Sequence, residues 1–293
     1  MKNLIKNRWL PFKEASKKVL QDAQNYNLQN RKDWYEYCKC GNKPVEIPAS
    51  PNVVYKNRGW ISWGRWLGTN NQKHGRKWYV NDGYFSKWSS NMAYVLGFWW
   101  ADGWVHKSEK SNFVLGFSQH KKERYLLNNI LEKMEATYPI YGRRDSDVLH
   151  FIIASKQMYQ DIVRIVGSQS KSLNGKFPKV PRKYLPDFIR GYFDGDGSIF
   201  VIKGRKNHLS SITCGNKIFI EQMRNELEKN IKGLKLAVYS QDKLKSKSYM
   251  LRFYASNTVK LGRFMYKNIT KDSLKMERKY ELFKRAEGLL NGI

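Results

Sequence analysis

The chain has 293 residues, 41% of them hydrophobic, which is enough for two or three domains with a sizeable core. Its formal net charge of +29 predicts a polyanionic partner. No stretch approaches the ~18 consecutive apolar residues of a membrane span, and the N-terminus lacks a signal peptide's apolar run. The three cysteines are too few for a disulfide framework and do not have zinc-site spacing. We therefore expect an intracellular protein with no membrane partner.

The first 88 residues differ from the rest in tryptophan content and charge. They hold seven of the ten tryptophans, and 17 Lys and Arg against 6 Asp and Glu. PFKEASKKVLQDAQ and NRKDWYEYCK read as helices, the second capped by Asn30. The WISWGRWLG stretch resembles a short Trp-rich repeat found as an accessory unit in some algal and phage-related proteins, and its three tryptophans are candidates for a small core. We predict a mostly helical, basic accessory module over 1–68 and a polar linker over 69–88.

The charge of this module suggests that it contacts the phosphates of the same polyanion as the rest of the chain. A packing or linker module without such contacts is the alternative.

From about residue 89 the pattern of elements repeats. An apolar helix ending in Asp-Gly, SSNMAYVLGFWWADG, is followed by a hairpin, a helix, a second hairpin and a helix. YLPDFIRGYFDGDG opens the same series again. The recurrence predicts two half-domains of the same architecture, over 89–183 and 184–293.

Small residues recur at helical spacing in the two opening helices. Gly97 and Ala101 lie four residues apart, as do Gly191 and Gly195, so each pair lies on one helix face. Small residues at that spacing let two helix backbones approach closely. If the helices pack on each other, the aspartates that follow, Asp102 and Asp196, emerge side by side at the end of the contact.

Two carboxylates at two helix C-termini need a cation, because like charges and the helix dipoles oppose ionisation of both. Hard oxygen ligands without His or Cys favour Mg²⁺, which suits hydrolysis of a phosphodiester. A calcium loop starting at Asp194 is the other reading of DGDGS, but Ile199 stands where such a loop needs Gly. Asp194 also has no acidic counterpart in the first copy, where Trp100 stands.

VLGFWWADG and PDFIRGYFDGDGSI resemble the two signature motifs of LAGLIDADG homing endonucleases, in the single-chain form, over about residues 89 to 290. The resemblance implies an α+β fold of two tandem αββαββα half-domains, related by pseudo-two-fold symmetry and forming a saddle-shaped antiparallel sheet. It implies a monomer that cuts double-stranded DNA at a long asymmetric site and leaves 3′ overhangs. It also implies Mg²⁺ as cofactor, with Mn²⁺ or Ca²⁺ able to substitute in binding. The metal-binding Asp maps to Asp102 and Asp196, each followed by a glycine of the metal site, Gly103 and Gly197.

The family usually places a basic residue from each half near the cleavage site. Lys171 is the candidate in the first half and Lys275 in the second, with Arg278 and Lys279 as competitors. Such a lysine polarises the attacking water or neutralises charge on the phosphate. In a chain with 54 Lys and Arg, a solvated or phosphate-positioning role is the alternative.

Every second side chain of the predicted strands faces the surface that would lie in the DNA major groove. The candidate contacts are Arg143, Lys203, Arg205, Tyr239, Gln241 and Arg252. A solvent-facing or cross-strand-paired role is the alternative for each of them. Phe200 and Ile202 are apolar where a DNA-reading residue is expected, so the strand register near them stays open.

Two other functions fit the same architecture: an RNA maturase that helps its host intron fold, and a sequence-specific DNA-binding protein that has lost cleavage. Neither needs both aspartates, so the presence of Asp102 and Asp196 favours the endonuclease. The Lys, Asn, Ile and Tyr content suggests an AT-rich genome, as in a mitochondrion, a chloroplast or a phage, and bacterial cytoplasm is a further candidate compartment.

Overall fold

The structure is a computed structural model, and it describes residues 9–56, 58–60, 62–69, 78–107, 113–167, 175–201, 208–243 and 246–291. Lys171, Lys203 and Arg205 lie outside the described residues. The chain divides into two compact units, Met1–Tyr79 and Val80–Ile293. The described residues contain no helix long and apolar enough to cross a membrane.

The first unit is a small helical module built around aromatic side chains. Its helices are α1 (Phe12–Asn25), α2 (Arg31–Lys39), α3 (Pro51–Val54) and α4 (Trp63–Leu67). Asn30 caps α2 by accepting from two backbone N–H groups, and Asp33 completes a capping box. Trp34 and Trp66 are fully buried and contact each other edge to face at 5.5 Å, while Trp60 and Trp63 are partly buried against them. Aromatic burial thus gives this short segment its core.

The second unit contains two half-domains with the same element order. The first runs α5 (Ser90–Asp102), β1 (Gly103–Lys107), β2 (Phe113–His120), α6 (Arg124–Lys133), β3 (Tyr141–Gly142), β4 (Val148–Ala154) and α7 (Lys156–Val166). The second runs α8 (Leu185–Asp196), β5 (Gly197–Val201), β6 (His208–Cys214), α9 (Lys217–Asn230), β7 (Val238–Lys243), β8 (Ser246–Tyr254) and α10 (Ser256–Tyr266). A final helix, α11 (Glu277–Asn291), follows the second half-domain.

Each half-domain has one four-stranded antiparallel sheet, in the order β1-β2-β4-β3 or β5-β6-β8-β7. The predicted α+β class with two tandem αββαββα half-domains is confirmed. The predicted hairpin strand at YPIYGRR is only two residues long among the described residues.

Helices α5 and α8 form the centre of the unit. Met92 to Trp100 in α5 and Leu185 to Asp194 in α8 are buried without interruption. The buried part of α5 is apolar all round and is stable only when it is covered on every side, whereas α8 also buries Asp187 and Arg190, which form an ion pair. Here each of the two helices covers the other, and the sheets and outer helices cover the rest.

Candidate active site

The backbones of α5 and α8 approach each other closely at two glycines, one on each helix. A Cβ added at Gly97 would lie 2.1 Å from the carbonyl oxygen of Phe188, and one added at Gly191 would lie 2.0 Å from that of Tyr94. No side chain fits at those distances, so only glycine permits this crossing. The two helices therefore share one seam, and its end determines where the aspartates lie.

At the C-terminal end of the seam, Gly195 faces α5. A Cβ added at Gly195 would lie 2.3 Å from the Cβ of Ala101 and 3.1 Å from the Oδ2 of Asp102. The carboxylate of Asp102 thus lies beside the residue that directly precedes Asp196. Asp196 is exposed and Asp102 is half-buried. The last residues of the two helices therefore lie close together in the fold, and both are accessible to solvent.

Gln119, near the end of β2, contacts one of these acids. Its Nε2 donates to the Oδ2 of Asp102 at 3.1 Å. Sequence reasoning missed this residue, because an amide in a strand gives no signal until the strand is placed against the helix end. In the first sheet Phe117 pairs with Gly103, and in the second sheet Ile212 pairs with Gly197. Gln119 and Cys214 each lie two residues after these paired residues. Cys214 is therefore the equivalent of Gln119 in the second half-domain.

Asp194, the other acid of the second motif, turns into the interior. Its Oδ2 accepts from the hydroxyl of Tyr94 at 2.7 Å and from the backbone N–H of Met276 at 2.8 Å. Burial raises the pKa of the Asp194 carboxyl, although Lys279 and the two hydrogen bonds oppose that shift. Asp194 therefore ties α8 to the segment before α11 and does not face solvent beside Asp196.

Lys279 lies directly under the end of α8. Burial lowers the pKa of its ammonium to about 8, while Asp194, Asp102 and Asp196 act in the opposite direction. A positive charge close to all three carboxylates offsets part of the repulsion between them. The sequence alone does not distinguish Lys279 from its neighbours Lys275 and Arg278, because all three are basic residues of one short segment.

The family model of a LAGLIDADG-like domain matches residues 184–259, from the turn before α8 into α10. The chain carries a LAGLIDADG-like domain. The predicted LAGLIDADG resemblance is confirmed over residues 184–259, and the first half-domain repeats the element order of this domain.

Several solved structures of LAGLIDADG enzymes are similar to this chain. I-DmoI in complex with DNA and Ca is 14% identical, with a TM-score of 0.47 over 69% of this chain and 97% of that one. The LAGLIDADG meganuclease I-CpaMI, bound to uncleaved DNA, is 15% identical, with a TM-score of 0.47 over 70% and 93%. The homing endonuclease I-LtrWI, bound to target DNA, is 13% identical, with a TM-score of 0.46 over 72% and 92%. No curated protein matches the chain in sequence.

The donor set at the two helix ends suits Mg²⁺. The described residues contain no group of three or more His, Cys, Asp or Glu that could hold a metal ion by themselves. Mg²⁺ is usually held by one or two carboxylates together with water and substrate phosphates, which is what Asp102 and Asp196 offer. The Gly197 carbonyl accepts from the Nζ of Lys279 at 2.6 Å, so this oxygen already has a donor.

Gly103 and Gly197 begin the strand that follows each motif of the chain. A Cβ at Gly103 would lie 2.1 Å from the ring of Trp99, and one at Gly197 would lie 2.4 Å from the ring of Phe193. The glycines let each strand leave its helix past an aromatic ring of the preceding turn. They therefore set the direction of the chain beside both aspartates.

Lys275 is placed in an ion pair. Its Nζ lies 2.7 Å from the Oε1 of Glu277 and 5.4 Å from the centre of the Tyr280 ring, and its side chain is 12% exposed. Arg278, its other competitor, donates to Glu123 at 2.6 Å.

The open face of the second sheet carries two of the predicted contacts. Tyr239 is 41% exposed, and the guanidinium of Arg252 lies 5.2 Å from the centre of its ring. Phe200, whose orientation the sequence left open, is 48% exposed and pairs with Leu209. Arg143 is exposed just after β3. The side chain of Gln241 lies outside the described residues.

Proposed function

We propose that this protein is a site-specific endonuclease that hydrolyses phosphodiester bonds in double-stranded DNA. The observation that carries the proposal is the placement of the Asp102 carboxylate against Gly195, next to Asp196. Asp102 and Asp196 are the last residues of α5 and α8, and both are accessible to solvent. Each of these helices leads directly into the first strand of a sheet, α5 into β1 and α8 into β5.

Asp102 and Asp196 are the residues that would hold Mg²⁺, with Mn²⁺ or Ca²⁺ able to replace it in binding. When bound, the cation activates water and stabilises the leaving oxygen of the phosphodiester. Gln119 holds the Asp102 carboxylate in one orientation through its amide hydrogen bond. Lys275, and Lys171 in the other half, supply positive charge to the scissile phosphates. A phosphate that approaches Lys275 competes with Glu277 for the ammonium.

The net charge of +29 supplies the sequence-independent part of DNA binding through contacts with phosphates. Arg143, Tyr239 and Arg252 on the described strands, with Lys203, Arg205 and Gln241, are the residues we propose to read or position the duplex. Two non-identical halves in one chain read two different half-sites. The target is therefore long and asymmetric. That the enzyme acts as a monomer and that its cuts leave 3′ overhangs is what the LAGLIDADG resemblance implies.

Because the substrate is double-stranded DNA, the enzyme acts inside a cell. We propose that its location is either an organelle or the cytoplasm of a bacterium, including one infected by a phage. The accessory module over 1–68 would add phosphate contacts outside the cleavage site.

The test uses a supercoiled plasmid that carries the two genomic flanks of the reading frame joined without interruption. With Mg²⁺, wild type should linearise it, while Asp102→Asn and Asp196→Asn should each slow cutting at least about 1,000-fold, the scale of losing a group that acts only in the transition state. Binding of the same DNA in Ca²⁺ should stay within about threefold, since uncut DNA is held mainly by phosphate contacts.

Asp272→Asn is the matched control, because Asp272 is an exposed carboxylate on the turn before α11. It should cut like wild type. Normal cutting by both active-site variants would refute the assignment. If wild type bound the joined DNA but did not cut it, the protein would be a DNA-binding protein that has lost cleavage. If it bound intron RNA in preference to this DNA, it would be a maturase.

A further inference from the structure

Lys279 has an unusual environment for a lysine. It lies in the first turn of α11 and is 3% exposed. Its Nζ donates to the carbonyl oxygens of Phe193 at 2.8 Å, Asp194 at 2.8 Å and Gly197 at 2.6 Å. An ammonium group has three N–H donors and no acceptor, so these three bonds use its full capacity.

Two of the three acceptors lie in the last turn of α8, and the third belongs to its C-cap residue, Gly197. The last carbonyl groups of a helix have no partner within the helix, and the C-terminus carries partial negative charge. The N–H of Gly197 closes the last turn of α8 onto the Phe193 oxygen, and the chain then enters β5, so no further helical turn follows. The buried ammonium of Lys279, which comes from another helix, donates to all three oxygens.

Lys279 binds the backbone on both sides of Asp196. The carbonyl of Asp194 precedes it by two residues and the carbonyl of Gly197 follows it directly, and both are bound to the same nitrogen. The segment that turns from helix to strand is thereby closed into a loop around Lys279. Rotation of the backbone at Asp196 would break at least one of these bonds.

The same bonds exclude a direct chemical role. With every N–H directed at a backbone oxygen, Lys279 has no proton aimed at a water or a phosphate and no free lone pair to accept one. It therefore acts through Asp196.

We propose that Lys279 is a positioning residue that fixes the direction of the Asp196 carboxylate, and so determines how tightly the two aspartates hold a divalent cation. The proposal rests on the proposed function for the identity of the ligand. It does not depend on DNA cleavage, because cation binding can be measured without DNA.

The experiment measures Tb³⁺ binding to the full-length protein by luminescence, and cutting of the target plasmid in parallel. Lys279→Met removes the ammonium while keeping the side chain's length. Leu227→Ala is the control for stability alone, since Leu227 is a fully buried residue of α9 in a different layer.

We expect Lys279→Met to weaken Tb³⁺ binding about 10- to 100-fold, the effect of removing a residue that orients a metal ligand. Leu227→Ala should change it less than about twofold, because transfer and cavity terms are local to that core. If Lys279→Met does not fold, Lys279→Arg serves instead. It keeps the charge, but its planar fork cannot meet three converging oxygens, so it should weaken Tb³⁺ binding at least about threefold.

The proposal would be overturned if the folded Lys279 variant bound Tb³⁺ with an affinity within twofold of the affinity of Leu227→Ala. Failure of wild type to cut any DNA while the Lys279 variant still loses Tb³⁺ affinity would overturn the proposed function and leave the role of Lys279 intact.

Discussion

Arg278 donates from Nε to the carboxylate of Glu123 at 2.6 Å, and this ion pair joins the C-terminal helix α11 to the first half-domain. The adjacent backbone N–H of Glu277 donates to the hydroxyl of Tyr125 at 2.9 Å. Lys279, the residue after Arg278, donates from Nζ to the carbonyl of Gly197 at the end of α8 in the second half-domain. The first turn of α11 therefore contacts both half-domains beside the paired aspartates.

Arg278→Met should lower the free energy of unfolding by about 1 to 2 kcal/mol, because the Glu123 carboxylate is left buried without its partner. The estimate is below that for a fully buried pair, since the Arg278 side chain is 60% exposed. Urea unfolding measures the change. Arg263→Met, which breaks an exposed pair with Glu287, should cost less than about 0.5 kcal/mol. Equal losses in the two variants would contradict the bridging role of Arg278.

Gly191→Ala should destabilise the protein by about 3 kcal/mol or more, at or above the upper end for overpacking, since the new methyl would meet a backbone oxygen that cannot rotate away. Gly288→Ala is the matched control. That glycine lies exposed within α11 and has no atom within 4 Å of an added Cβ, so alanine should stabilise the helix by about 0.5 to 1 kcal/mol. Thermal unfolding of both variants compares them, and a well-tolerated Gly191→Ala would show that the helices can separate at low cost.

Gln119→Leu should slow DNA cutting about 10- to 100-fold while leaving DNA affinity in Ca²⁺ unchanged, because the Gln119 amide is bound to the Asp102 carboxylate and orients it. Cys214→Ala, at the matching position of the other half-domain, should slow it less than about threefold, since it lacks the amide donor. Single-turnover rates on the target plasmid make the comparison. If the two variants are slowed equally, Gln119 has no special part in holding Asp102.

His208 should make stability depend on pH. It is 3% exposed, and neither ring nitrogen has a hydrogen-bond partner among the described residues. Burial, with a smaller contribution from Arg285, lowers the pKa of the imidazole below its usual 6.5. Between that lowered pKa and 6.5 the unfolded chain binds more protons, so the stability present above pH 6.5 is lost as the pH falls.

Melting temperatures from pH 7.5 to 5 should therefore fall less for His208→Phe than for wild type. His106→Gln, which changes an exposed histidine of β1, should follow the wild-type curve. Parallel curves for wild type and His208→Phe would show that the buried ring does not titrate in this range.

Arg252→Met should weaken DNA binding and reduce the slope of log K against log salt by about one if the guanidinium contacts a phosphate. A base contact would instead relax specificity at one target position by about 1 to 3 kcal/mol. Arg263→Met again serves as the control, because its guanidinium is engaged with Glu287 on the outer helices. Unchanged affinity, salt slope and specificity would remove Arg252 from the DNA surface.

The sequence by itself determined the element order and the helix contact. The repeat of an apolar helix and two hairpins is a matter of local periodicity, which the chain carries without reference to distant residues. Glycines at a spacing of four predicted a close helix crossing, because the absence of a Cβ acts wherever two backbones meet. The family signature in PDFIRGYFDGDGSI is likewise local, and the match over residues 184–259 includes it.

The tertiary structure decided which side chains serve the site. Gln119 reaches Asp102 from 17 positions away, and Lys279 reaches Gly197 from 82 positions away, so no spacing rule announces either contact. Among several basic residues in KMERK, only packing determined that Lys279 turns inward while Lys275 and Arg278 pair with acids. Local patterns fix where a helix ends, but the partners of its last carbonyls depend on which distant segment fills the space beside them.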